Sequence, residues 1–341
     1  MAKRILFIGG TGFMGARAVT QLVEAGHEVT VFHRGETDRT PDGTRHIHGD
    51  RSDLAAHREA FRALQPEVVV HMIAATAQEA WTARQLFEGS VGHIVLASSV
   101  DVTAAYGRLF APTDAPLVDL PLTPNSPLRN RLHPYRTQAE AIEDPERRER
   151  VADYDKIVVE SIFQASTDFA VTTLRFPMVH GPGDPQRRFG AYLTRMDAGR
   201  EAILLDTQQA EWRTARAYVD DMGRVIARAA TLPAEGHRTF VLGDQPTRTE
   251  RAWLEALAAQ VGWSGRIVTA HPLPEGLAPT VDFRQCLDVD PTAAITAFDL
   301  PAPTPLEEQL AATVADERAR GPIEEDYAAE DAALASLSQD G

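Results

Sequence analysis

Gly9-Gly10-Thr11-Gly12-Phe13-Met14-Gly15 is the stretch of this sequence whose residue types and spacing come closest to chemistry. It reads both as G-x-G-x-x-G from Gly10 and as G-x-x-G-x-x-G from Gly9, directly after the apolar run 5–8. Glycines at this spacing let a turn tighten and let the backbone approach a pyrophosphate. A helix opening just behind the turn offers free N–H groups and a partial positive charge to the phosphates. The chemistry this predicts is dinucleotide binding. The alternative is a plain tight turn between a strand and a helix.

The elements that must position the turn follow from hydrophobic periodicity. Strands are predicted at 4–8, 28–32, around Ile47, and at 68–73, 93–97 and 171–176, with helices after 12 and over 55–64, 78–87 and 155–164 between them. Such alternation argues for a parallel sheet covered on both faces, hence an α/β, Rossmann-type doubly wound domain over 1–180. Residues 101–150, rich in proline and closing on the charged run 143–150, read as a long irregular loop. Beyond Gly181 a smaller α+β substrate-binding domain is expected over 181–315, with about 217–245 returning to the main sheet. It would hold helices near 189–196, 219–231 and 250–261 and strands at 202–205 and 239–242. The end, 316–341, carries eight acids and two arginines and reads as a loosely packed, solvated tail.

Composition sets further bounds. A single cysteine, Cys286, leaves no disulfide framework and no cysteine metal site within the chain. No apolar run is long enough for a membrane span, and no signal peptide precedes the first strand, so a cytoplasmic protein is expected. A net charge of −15 argues against nucleic acid as a partner. His46 and His48 share a strand face near His33, but no set of acids and histidines completes a metal site.

Further segments appear in a telling order. They are His48-Gly-Asp50, Val70-His-Met-Ile-Ala-Ala75, Leu96-Ala-Ser-Ser99, Asp155-Lys156 with Glu160, Leu174-Arg-Phe-Pro-Met-Val-His-Gly-Pro-Gly-Asp184, and Arg216-Ala-Tyr-Val-Asp-Asp221. Together with the glycine turn this series resembles the extended short-chain dehydrogenase/reductase superfamily, the NAD-dependent epimerase/dehydratase family, over about residues 4–300. The resemblance implies that Asp50, with Arg51 beside it, meets the adenine. It implies that Ile73, Ala74, Ala75 and Pro177 line the nicotinamide half of the cofactor, and that a homodimer is the assembly to expect.

An acid at the end of strand 2 would accept hydrogen bonds from the ribose of NAD. Here His33 and Arg34 stand at that place, which favours the 2′-phosphate of NADP, with Glu36 and Asp38 close enough for an NAD alternative. The family's chemistry uses Tyr-x-x-x-Lys with a serine. An ammonium about 4 Å from a phenolate is worth on the order of 4 kcal/mol at an effective dielectric near 20 and draws the phenol from about 10 towards 7. Ser99 and Lys156 match the serine and the lysine, but the residue four before Lys156 is Ala152. Tyr154 can take over only if the helix starts after it, with Asp153 or Asp155 as the cap. Otherwise Tyr106 or Tyr135 would swing in from the loop, or Lys156 itself would act as base.

On the substrate side, Arg187, Arg188, Arg213 and Arg216 gather where the resemblance puts the roof of the cleft. The arginine matching Arg216 meets the diphosphate in sugar-nucleotide members, and Trp212 would either stack on a base or sugar or pack in the core. Met178 stands where many of those members carry asparagine. The resulting expectation is an NAD(P)-dependent enzyme transferring hydride on a sugar nucleotide or another hydroxy or keto small molecule. The alternative is a dinucleotide-binding regulator or sensor without turnover, because the usual tyrosine is Ala152.

Overall fold

A computed structural model describes residues 2–111 and 114–339. Its strands are β1 (Arg4–Ile8), β2 (Glu28–His33), β3 (Arg45–His48), β4 (Val68–His71), β5 (His93–Ser99), β6 (Ala170–Phe176), β7 (Met178–His180), β8 (Ala202–Asp206), β9 (Arg216–Tyr218), β10 (His237–Val241) and β11 (Arg266–Ala270). Seven of them form one parallel sheet in the order β10-β6-β5-β4-β1-β2-β3. The strand order reverses beside β1, so the chain leaves β1 and β4 in opposite directions and a crevice opens at their carboxyl ends.

Strand periodicity of two explains the two-sided core. On β1, Ile5 and Phe7 join one apolar cluster with Val19, Leu22, Met222 and Val225. Leu6 and Ile8 join the other, with Phe61, Phe87, Val159 and Phe163. The helices Phe13–Glu24 and Val219–Thr231 therefore cover one face, and Ala77–Phe87 and Lys156–Gln164 the other. A third core, centred on Phe189, Leu205, Trp253 and Leu254, builds the region beyond β7.

Two sequence expectations change. Residues 101–150 are not wholly irregular: they hold the helices Ala104–Leu109, Arg136–Ala139 and Pro145–Ala152, while Pro112 and Thr113 lie outside the described residues. Buried ion pairs replace regular structure as the fastener, with Arg108 on Asp282 at 2.8 Å and Arg129 on Asp155 at 2.8 Å. Nor is the end a loose solvated tail. Helix Leu306–Ala319 buries Val314 and Glu317, and helix Ala328–Gln339 brings Glu330 between Arg195 and Arg200. Glu330 also accepts the Leu204 N–H at the edge of β8 (2.9 Å), and Tyr327 lies under both guanidiniums. The acids of this end have partners about 130 residues upstream, so a local charge count reads them as solvated. Asp340 and Gly341 of that stretch lie outside the described residues.

Below the carboxyl end of the sheet, Glu160 takes Arg175 through both oxygens (3.0 and 2.8 Å) and Ser98 Oγ at 2.5 Å. Both charged side chains are buried. Removing one partner strands a charge, and we expect Glu160→Ala to lower stability by about 3–5 kcal/mol, read from the urea unfolding midpoint. An unchanged midpoint would mean that the pair is solvated.

Candidate active site

The glycine turn fits a dinucleotide by shape. Gly9 sits at φ +73°, and a Cβ there would lie 2.5 Å from Ile73 Cγ2. A Cβ on Gly15 would lie 2.7 Å from the Gly10 Cα. Both contacts forbid a side chain, so the turn folds flat against the ends of β1 and β4. Gly12 opens helix Phe13–Glu24 with no side-chain cap, and nothing stands within 4 Å of where its Cβ would be. The helix start thus carries no side-chain cap and is clear of neighbouring atoms at Gly12, which suits an anion site. Thr11 and Ala74 are buried beside the turn, Pro177 is buried at the end of β6, and Phe13 and Met14 are half-buried.

Where the adenosine half would lie, a pocket is lined by Gly9, Phe32, His33, Arg34, Arg51 and Ile73. Arg34 is half-exposed, 2.8 Å from Glu36 and 3.9 Å from Asp50. Asp50 uses one oxygen to cap the next turn through Ser52 N–H and Oγ–H (2.8 and 2.6 Å), which holds its carboxyl below the usual range. Arg51 leans on Glu79 at 3.4 Å.

At the other end of the crevice, helix Lys156–Gln164 starts one residue later than its periodicity suggests. Asp155 is its cap, accepting the Ile157 N–H at 2.9 Å while its own N–H goes to Ala75 O at 2.8 Å. Asp155 also takes both terminal nitrogens of Arg129 (3.1 and 2.8 Å) and the His133 N–H (2.7 Å). Tyr154 therefore stands outside the helix, which frees its ring from helical spacing. Its hydroxyl donates to Asp101 Oδ2 at 2.8 Å. Tyr135 donates to the same oxygen at 3.1 Å, and Tyr106 and Tyr135 share a hydrogen bond of 2.9 Å. Asp101 Oδ1 is buried with no hydrogen-bond partner among the described residues.

This arrangement reverses the expected electrostatics of the phenol. Burial first, then the adjacent Asp101, pushes the Tyr154 hydroxyl well above its ordinary value, so it stays protonated. Burial also raises Asp101, against the opposing pull of Tyr154, Arg129 and Lys156. Lys156 Nζ donates to Ala74 O (2.5 Å) and Ala97 O (2.8 Å), the backbone at the ends of β4 and β5. Burial lowers it to about 8, with Asp101 as the main opposing charge. Ser99 acts locally. Its Oγ accepts the Asp101 N–H at 3.1 Å and caps the turn that presents Asp101. Asp101 was not singled out from the sequence. The signal was there in an acid two residues past the Ser98-Ser99 strand end.

The four arginines of the expected substrate roof each have a carboxylate. Arg187 pairs with Glu317 (2.8 Å), Arg188 with Asp184 (2.7 Å), Arg213 with Asp288 (2.9 Å) and Arg216 with Glu250 (2.5 Å). Arg188 and Arg216 both lie close to His180, and Arg216 keeps Nε and one terminal nitrogen buried without a hydrogen-bond partner among the described residues. Trp212 is a packed core residue, donating its indole N–H to Gln285 O at 2.9 Å. Among the described residues no group of three or more His, Cys, Asp or Glu is arranged to hold a metal, and no helix is long and apolar enough to cross a membrane.

Residues 5–89 match the NAD dependent epimerase/dehydratase family. Over this segment the chain is similar to that family. That family is one of NAD-dependent epimerases and dehydratases. A curated relative, the 3-diazoavenalumate denitrifying reductase of a Streptomyces species, is 28% identical over 291 residues, 81% of this chain and 86% of its own. Among solved structures, MoeE5 in complex with UDP-glucuronic acid and NAD is similar at a TM-score of 0.65 and 20% identity, covering 93% of this chain and 99% of its own. The UDP-glucose 4-epimerase of Thermotoga maritima, solved with UDP-glucose, gives 0.64 and 19%, with 93% and 99% covered. At such identities the solved structures speak for the fold alone: a Rossmann-type parallel sheet with an added C-terminal region.

The buried Lys156 gives a test of this geometry. Its folded value of about 8 lies below the ordinary lysine value of 10.5. Between those pH values the unfolded chain binds the extra proton, so the native state gains stability as pH rises from 8 to 10.5. Below that window the cost of the buried ammonium is carried in full. We expect the stability difference between wild type and Lys156→Met to move in favour of wild type by on the order of 3 kcal/mol across the window, measured by urea unfolding at stepped pH. A pH-independent difference would place the ammonium in solvent.

Proposed function

We propose that the protein is an NADP-dependent reductase acting on an apolar or aromatic carbonyl-type small molecule rather than on a sugar nucleotide. The observation that carries this is the Tyr154 phenol, protonated and hydrogen-bonded to Asp101 at the end of β5. A phenol held in its neutral form is poised to give a proton, which is what reduction of a carbonyl asks of its partner. The dinucleotide, when bound, supplies the hydride. The residues of the chain supply the rest: Lys156 orients the ribose side of the crevice, Tyr154 gives its proton to the substrate oxygen, and Asp101, Tyr135 and Tyr106 form the hydroxyl–carboxylate chain that returns one.

Two features support the substrate class. Each arginine of the expected diphosphate roof is paired with a carboxylate, although Arg216 gives Glu250 only one of its nitrogens. From Tyr154 runs a row of rings, Tyr154 to Tyr135 at 5.1 Å, Tyr135 to Tyr106 at 6.5 Å and Tyr106 to Phe110 at 5.4 Å, ending on an exposed Phe110. Aromatic faces favour flat apolar substrates. The relative named as a denitrifying reductase is consistent with the reductive direction.

Ala152 in place of a tyrosine one turn before Lys156 favours a second reading, a dinucleotide sensor without turnover. One assay separates the two: NADPH oxidation followed with a panel of aromatic aldehydes, ketones, quinones and diazo acids. We expect turnover with at least one member, lowered about 10²–10⁴-fold in kcat by Tyr154→Phe. Absence of turnover across the panel, with dinucleotide binding intact, would favour the sensor.

A further inference from the structure

Three histidines, His33, His46 and His48, meet at the carboxyl ends of β2 and β3, on the rim of the adenosine pocket. Their hydrogen bonds fix the tautomers. The Gly35 N–H donates to His33 Nδ1 at 3.2 Å, so the ring hydrogen sits on Nε2 and is given to His46 Nδ1 at 2.9 Å. His46 in turn carries its hydrogen on Nε2, which faces Asp38 Oδ2 at 3.6 Å. The His48 ring lies 4.8 Å from that of His33 and stacks on that of His46 at 6.3 Å. The pair His33–His46 is therefore a neutral relay, each ring with one hydrogen placed. Burial and the neighbouring imidazoles lower His33 further from protonation.

The charges facing this relay do not suffice for a phosphate. The loop after β2 brings Arg34, Glu36 and Asp38, and the turn after β3 brings Asp50 and Arg51, with His57 packed on Phe32. Two cations stand against three carboxylates, and the turn after β1 contributes only the uncharged Gly9 and Thr11 here. A 2′-phosphate arriving with two negative charges would meet a rim that is already slightly negative.

We propose that the His33–His46 pair makes recognition of the 2′-phosphate proton-coupled: binding of NADP(H), but not of NAD(H), draws a proton onto this pair. A proton on Nδ1 of either ring breaks one existing hydrogen bond, the one from Gly35 or the one from His33. The phosphate oxygens are the acceptors that take the freed N–H. Discrimination between the two dinucleotides thereby falls as pH rises. This inference rests on the proposed placement of the dinucleotide and names the groups that set its specificity.

The test is a calorimetric titration of the apo protein with NADPH and with NADH in two buffers of unlike ionisation heat, with affinities by protein fluorescence from about pH 6.5 to 8.5, above the phosphate's own pKa near 6. The expected result is uptake of about one proton with NADPH and none with NADH, and a preference for NADPH that falls about five- to tenfold per pH unit. His33→Asn and, on the exposed side of the pair, His46→Gln are each expected to abolish both the uptake and the slope. A preference for NADPH with no uptake and no slope would overturn the inference while leaving the cofactor assignment standing on Arg34. Tighter binding of NADH throughout would overturn the assignment itself, and the inference with it.

Discussion

The buried pair Arg129–Asp155 is the constraint from which the rest of the site follows. Asp155 ends the approach to helix Lys156–Gln164 by capping it, and Arg129 holds that carboxylate with two nitrogens. The third nitrogen of Arg129 reaches Asp101 O at 2.9 Å, and so ties the carboxyl end of β5 to the same point. One guanidinium thus fixes the loop, the helix start and Asp101 together. Such a pair is costly to bury unless all its hydrogen bonds are satisfied, and here the His133 and Ile157 N–H groups complete the carboxylate. The consequence is that Tyr154 lies outside the helix and Lys156 just inside it. The chain keeps a phenol and an ammonium at the crevice although the spacing of four residues is gone.

The electrostatic character of the site follows from this displacement. In a Tyr-x-x-x-Lys helix the ammonium would lie along the phenol and favour its ionised form. Here Lys156 gives two of its hydrogens to the Ala74 and Ala97 carbonyls, and the anion next to the phenol is Asp101. The phenol is held protonated and the carboxyl is pushed up, so the site stores protons rather than shedding them. The protonated form is the one that has a proton to give.

Much of the architecture was legible in the sequence because it rests on local signals. The glycine turn lies between a strand and a helix as its spacing requires, and helices Val219–Thr231 and Glu250–Val261 have the bounds their apolar periodicity suggests. What escaped the sequence was pairing across distance. Arg187, Arg213 and Arg216 each pair with a carboxylate from a remote segment, Glu317, Asp288 and Glu250, and no count along the chain shows those partners. The same pairing turns the acidic end into packed helices. Asp101 escaped because a single acid in a turn has no periodicity or motif; only the convergence of two hydroxyls upon it shows its place.

The central claim is that the Tyr154–Asp101 pair and Lys156 border the reacting end of the dinucleotide. The most direct measurement is a crystal structure of the protein soaked with NADPH. The expected result is a pyrophosphate on the Gly9–Gly15 turn with the nicotinamide ring beside Tyr154 and its ribose at Lys156. A nicotinamide ring directed away from Tyr154, or a dinucleotide bound elsewhere on the molecule, would contradict it.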